Sequence, residues 1–354
     1  MEENKQITLR KKIIYTISFA VILVLVLSVL SQLLIRAGNT KNTVGNFNSH
    51  GIFAEEDNII DVVAIGNSNY YSGLAANQMW EEHGITAYVW GEASQRIYET
   101  RHNLEKIFKH QSPKIVFLEP SCIFREKSTA DNLSQKLKSD ASALFPAFTY
   151  HSRWRLLFPN RWKSWTMDMK CVGHGSNARL GVHAYKEKDW MKDSREKAEV
   201  NPLARRELEK CIQLCKENGA IPVLLAVPGP HDWDMKRYNT IKEIADSQDV
   251  ELLDMNHHLD ELELDWKKDT PDGGYHLNYW GAQKVTAFVG NYLAETQKLP
   301  DHRGDEAYRQ WDEDCKTYND ALQQRLNKKK EKKEHKQPVK KKPGKKFGMK
   351  DLRV

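Results

Sequence analysis

Three short segments of this 354-residue chain carry residue types that together can perform acyl transfer. Gly66-Asn67-Ser68-Asn69 offers a serine hydroxyl directly after an apolar run. Such a hydroxyl is a weak nucleophile at neutral pH; it needs a base, and the base needs an orienting acid. Asp272-Gly273-Gly274-Tyr275-His276-Leu277-Asn278, late in the chain, holds a histidine and a nearby carboxylate for those roles. Trp90-Gly91-Glu92-Ala93-Ser94-Gln95 offers Gly91, where the missing side chain lets a substrate approach a backbone N–H. Each segment also has an ordinary structural reading. Ser68 suits a helix N-cap, and Asp272 with its glycines suits a capped turn.

The elements around these segments would bring them together. Residues 59–65 are apolar and β-branched and end at Gly66. Runs of this kind predict buried parallel strands. Residues 115–118 and 223–227 repeat the pattern, and residues 86–90 and 250–253 do so more weakly. Helical spacing separates them over residues 75–83, 97–110, 203–218, 235–245 and 282–293. Alternating strands and helices predict an α/β fold with a parallel sheet covered on both faces. In an open sheet of this type, ligands bind outside the carboxyl ends of the strands, where all three segments would lie. Residues 121–200 interrupt the alternation with many aromatics, among them Phe145, Phe148, Tyr150, Trp154, Phe158, Trp162, Trp165 and Trp190. This insertion reads as a cover over the site or as a helical subdomain on the sheet.

In this order and at these strand ends, the segments resemble the SGNH/GDSL hydrolase superfamily, and in particular its membrane-anchored bacterial extracytoplasmic branch. The resemblance spans residues 59–293 and implies a three-layer, flavodoxin-like sheet. In GNSNYYSGLAANQMWEEHGITAYVWGEASQ, Ser68 matches the nucleophile and Gly91 the second-block oxyanion glycine. In DTPDGGYHLNYWGAQKVT, His276 matches the base and an upstream aspartate the acid. The family's acid commonly stands three residues before the histidine, where this chain has Gly273. Asp272 is the first choice and Asp269 the alternative. The family's third block often adds an oxyanion asparagine, whereas this chain has Glu119-Pro120-Ser121-Cys122 after the third strand. Asn69 and Gln95 are the candidate substitutes. No cofactor is implied.

Other polar groups give weaker signals. His257-His258 with Asp254 and Asp260 lacks metal-ligand spacing, so no metal site is expected. His231-Asp232-Trp233 would sit at a strand end, either lining an acceptor pocket or forming a plain loop. The five cysteines show no CxxC pair; Cys211 and Cys215 read as core thiols on one helix face, with room for at most an occasional disulfide.

Residues 13–35 contain no charge and are long enough to cross a bilayer as a helix. Ile35-Arg36-Ala37-Gly38 is a poor cleavage site, which favours an uncleaved anchor. Lys5, Arg10, Lys11 and Lys12 precede the span, so residues 1–12 are expected in the cytoplasm and the rest outside. Residues 36–55 then form a linker, 56–298 the α/β domain, 299–326 a polar helix and 327–354 a disordered lysine-rich tail. The net charge is +6, yet residues 328–350 alone carry +10, leaving the remainder at −4. Outside a cell, the polyanions available to such a tail are wall polymers and anionic lipids; nucleic acid is not expected.

The expected activity is therefore that of a serine acyl esterase or O-acyltransferase acting on a cell-envelope polysaccharide or similar carbohydrate ester. The resemblance implies a multi-pass membrane acyltransferase as a partner. The competing expectation is a non-catalytic binding or scaffold module of an envelope assembly complex, favoured by the shifted aspartate and the missing third-block asparagine.

Overall fold

A computed structural model describes residues 2–36, 49–151, 154, 171–186 and 189–335. Most of the expected linker (37–48), Phe158, Trp162, Trp165 and the tail beyond residue 335 lie outside the described residues.

Five parallel strands form one sheet: β1 (Val62–Gly66), β2 (Ala87–Gly91), β3 (Ile115–Leu118), β4 (Ile221–Ala226) and β5 (Glu251–Asp254). Their order is β2-β1-β3-β4-β5, the flavodoxin-like arrangement. Each expected strand is present, with ends shifted by up to three residues. β1, β2 and β3 are buried throughout because helices cover both faces. On one face, α4 (Ile97–Ile107), α7 (Pro202–Glu217) and α8 (Met235–Gln248) pack on Ile65, Trp90, Val116 and Leu224. On the other, α2 (Ser68–Gly73), α3 (Ala76–His83) and α9 (Tyr279–Asn291) pack on Val62, Ala64, Phe117 and Leu225. After β2 the chain crosses to the far side of β1, so the carboxyl ends of β1 and β3 flank the switch point where such sheets bind ligands.

The insertion has no strand among its described residues; it carries α5 (Thr129–Leu144) and the short α6 (Ala147–Tyr150). All five cysteines are free and buried, with Cys211 and Cys215 in the core.

At the N-terminus, α1 runs Glu2–Arg36, and its stretch Leu9–Leu34 is long and apolar enough to cross a membrane. Its C-terminal end meets α6: Ala147 N donates to Ser31 Oγ (3.0 Å), and Leu34 is buried. The expected linker ends earlier than residue 55, because Ser49–Ala54 forms a 3-10 turn docked on β2 through Ser49 Oγ donating to the Gly91 carbonyl (2.7 Å).

The C-terminal helix departs most from expectation. Instead of a polar helix over 299–326, α10 runs Arg309–His335, well into the lysines. Trp311, Cys315, Tyr318 and Leu322 recur at helical spacing and are all buried. They pack on Trp80 of α3 and on residues 171–180, so α10 closes one side of the domain.

Candidate active site

Ser68 opens α2 immediately beyond β1. Asn67, not Ser68, is the N-cap, with its side chain accepting from Asn69 N (2.8 Å). The Ser68 hydroxyl is thereby released from capping and donates to His276 Nε2 (2.8 Å). His276 Nδ1 in turn bonds Asp272 Oδ2 (2.6 Å). A carboxylate can only accept, so Nδ1 carries the imidazole proton and Nε2 faces Ser68 with its lone pair. Asp272 Oδ1 also accepts from the His276 backbone N–H (3.0 Å), fixing the acid and the base to each other twice.

Local backbone geometry explains why the acid stands four residues before the histidine. Gly273 (φ 76°) and Gly274 (φ 94°) both adopt left-handed conformations. They fold the chain so that Asp272 returns to His276, a path that side chains with a Cβ rarely take. Asp269, the alternative acid, is engaged elsewhere. Its carboxylate accepts from Lys284 Nζ (2.7 Å) and Asp265 N (2.8 Å).

The remaining site candidates separate. Gly91 lies at the end of β2, where an added Cβ would come within 2.7 Å of Tyr71, so the bare backbone lets α2 pack close. Asn69 points its amide between Glu119 Oε1 (3.4 Å) and Asp232 Oδ2 (3.3 Å), which engages the donors proposed for the oxyanion. Gln95 is fully buried and donates to Thr100 Oγ1 (3.0 Å) in α4; it does not join the Ser68 line. Sequence patterns place Gln95 near a strand end but do not show which way its side chain turns. His257 and His258 bond different acids, Asp254 (2.9 Å) and Glu261 (3.0 Å), and do not converge.

Three residues of the site carry no role in the sequence motifs. Arg179, from the insertion, places Nη1 2.9 Å from Asp272 Oδ2. Tyr71 hydrogen-bonds Ser68, and burial raises its phenol above the usual range. Glu119, directly after β3, accepts from Asn67 N and from Ser121 Oγ (2.6 Å). Burial raises its carboxyl to about 7, against the opposing pull of these hydrogen bonds. Its position after the third strand is the one signal that could have marked it in advance.

His276 titrates below its ordinary value. Burial is the main cause; Asp272 opposes the shift, and the Arg179 cation adds to it. The imidazole is therefore neutral at pH 7, the state a general base requires. The line from Ser68 through His276 to Asp272 has the geometry to deprotonate a serine hydroxyl, orient the base and hold its developing positive charge. Beside it, His231 stacks on Tyr275 (centroids 4.0 Å apart, 16° between planes), whose other face is open to solvent. A separate cleft of about 390 Å³ lies between the 49–54 turn, α4 and α5, and shares no residue with this line.

No family model matches the chain, and no curated protein does. Among solved structures it is similar to a GDSL-like lipase from Bacteroides thetaiotaomicron VPI-5482 at 12% identity, covering 67% of this chain and 88% of that one, with a TM-score of 0.34. It is also similar to TesA at 11% identity, covering 66% and 97% of the two chains, with a TM-score of 0.34. A salicylyl-acyltransferase from a tetracycline biosynthetic pathway is 12% identical over 70% of this chain and 56% of that one, with a TM-score of 0.30. At these identities and scores the neighbours describe a likeness only, and the chemistry rests on the geometry of Ser68, His276 and Asp272.

Proposed function

We propose that this chain is a membrane-anchored, extracytoplasmic serine acyl esterase or O-acyltransferase acting on a cell-envelope polysaccharide or similar carbohydrate ester. The observation that carries the reading is the continuous hydrogen-bonded line Ser68–His276–Asp272. In this reading Ser68 Oγ attacks the acyl carbonyl carbon while its proton passes to His276 Nε2. His276 then gives that proton to the departing alcohol oxygen, leaving the acyl group on Ser68. A glycan hydroxyl or water attacks the acyl-serine, its proton passing to His276 and back to Ser68 Oγ. The backbone N–H groups of Ser68 and Gly91 are assigned to the tetrahedral oxyanion, where each such donor is typically worth about 3–4 kcal/mol.

The apolar helix Leu9–Leu34 supports membrane attachment, and the basic residues before it support a cytoplasmic N-terminus. A multi-pass membrane acyltransferase as donor, and an anionic wall polymer or lipid at the lysine-rich tail, belong to the same proposal. A fluorophosphonate probe tests its centre. Covalent labelling should map to Ser68, and acyl release from p-nitrophenyl acetate and acetylated glycans should vanish in Ser68→Ala. Equal activity in variant and parent would sink it.

One observation favours a non-catalytic scaffold instead. Glu119 stands after β3 where the resembling family often has an asparagine, and an ionised carboxylate there would oppose a developing oxyanion. The raised pKa of Glu119 weakens this objection, since the protonated acid carries no charge below about 7. A probe-silent but fully folded chain would support the scaffold.

A further inference from the structure

Away from the Ser68 line, Glu55, His174 and Asp314 meet inside the domain from three distant parts of the chain. Their side chains are 5%, 0% and 5% exposed. His174 Nδ1 lies 3.3 Å from Glu55 Oε1, and Nε2 lies 4.0 Å from Asp314 Oδ2. Neither ring nitrogen has a hydrogen-bond partner, and Glu55 Oε1 is likewise unsatisfied. A buried imidazole and a buried carboxylate oxygen left this way are costly. An imidazolium clamped between two acids would satisfy the cluster by donating two N–H bonds, but neither bond is formed. Trp311 stacks on one face of the ring at 3.8 Å, and Tyr88 meets it edge-on at 6.1 Å, so the ring nitrogens look along the cluster plane. His174 itself holds a left-handed backbone (φ 42°), an uncommon conformation for a residue with a side chain.

We propose that Glu55, His174 and Asp314 form a structural site for a divalent cation of the zinc type. One ligand atom from each residue lies within 4.8 Å of the others. Two ligands of a tetrahedral zinc with bonds of about 2.0–2.2 Å stand roughly 3.3–3.6 Å apart; the 3.3 Å between His174 Nδ1 and Glu55 Oε1 lies in that range and the 4.0 Å between Nε2 and Asp314 Oδ2 just beyond it. Each carboxylate faces a different ring nitrogen, so one can share the ion with the nitrogen it faces while the other accepts the remaining ring N–H and orients the imidazole. An imidazole in the set selects zinc-like ions over magnesium or calcium. The ion would tie the segment after the anchor, residues 171–178 and α10 to the edge of the sheet at β2, where His174 O already accepts from Val89 N (2.9 Å).

The test uses the tag-free full-length chain in detergent, stripped with a chelator, re-equilibrated with Zn²⁺ and desalted. Elemental analysis should find one zinc per chain in the parent and little in His174→Gln or Asp314→Asn. Zn²⁺ should also raise the melting temperature of the stripped parent, a measurement that needs no variant if those fail to fold. Cobalt in place of zinc should give the visible bands of a low-symmetry nitrogen–oxygen site. A parent that retains no stoichiometric zinc and does not change its melting temperature with added metal would overturn the proposal. So would zinc retained equally by folded His174→Gln and Asp314→Asn. Neither readout depends on Ser68 chemistry, so this site and the proposed activity stand or fall separately.

Discussion

Arg179 Nη1 lies 2.9 Å from Asp272 Oδ2, the same oxygen that binds the imidazole of His276 at 2.6 Å. The acid of the line is thus shared between its base and a guanidinium. A cation at this position disfavours a second positive charge on the imidazole, adding to the downward shift that burial causes. Arg179→Gln should therefore raise the His276 pKa, and the acid limb of the kcat/KM profile should move to higher pH. Arg179→Lys should restore most of the parent profile. An unmoved acid limb in Arg179→Gln would show that the guanidinium does not act through His276.

Asp272 and Asp269 should respond oppositely to amidation. Asp272→Asn removes the group that sets the imidazole tautomer, and should lower turnover by on the order of 10³–10⁴-fold with little change in melting temperature. Asp269→Asn should leave turnover near the parent value but lower stability, because Asp269 holds Lys284 and the Asp265 amide. Ester hydrolysis and thermal melts on the two variants check both halves.

Glu119 gives the domain a pH-dependent stability. Its folded pKa is raised from 4.5 to about 7, chiefly by burial. Its stabilising contribution is then full below about 4.5 and is lost as pH rises through about 7. Glu119→Gln lacks this titration, so the stability difference should swing in the variant's favour between pH 5 and 9, by on the order of 3 kcal/mol. Urea unfolding at several pH values would reveal it; a difference that stays flat with pH would refute the buried, titrating carboxyl.

Tyr275 adjoins the base in sequence and stacks on His231, leaving one ring face open. Such a face suits the apolar side of a sugar ring. Tyr275→Ala should raise KM for acylated glycans by about three- to tenfold while p-nitrophenyl acetate hydrolysis stays near parent levels. Equal losses on both substrates would place Tyr275 in the machinery, not in recognition.

Trp311 joins α10 to the body through Trp80, 5.8 Å away, and through His174. Truncating a buried tryptophan typically costs about 3–5 kcal/mol. Trp311→Ala should therefore lower the unfolding free energy by that amount and expose α10 to proteolysis. A variant as stable and protease-resistant as the parent would mean that α10 is dispensable.

Much of this molecule was readable before folding. The strands were legible because parallel strands buried on both faces are written as unbroken apolar runs, and β3 matches its expected bounds. The long apolar helix that contains residues 13–35 was legible because length and hydropathy are local properties. Ser68 and His276 were readable as partners because strand ends of an open sheet converge on one edge. The choice between Asp272 and Asp269 was not, since it depends on two left-handed glycines and on where Lys284 reaches. Arg179 comes from an insertion without periodicity, and Gln95 turns inward onto Thr100. The apolar stripe of α10 was hidden among charges, and only its packing on residues 171–180 reveals it. Glu55, His174 and Asp314 share no spacing at all, because contacts between distant segments are made by packing of whole elements. The sequence by itself determined which elements form and which residue types could react; the tertiary structure alone decided which side chains share a charge, a proton or a buried cavity.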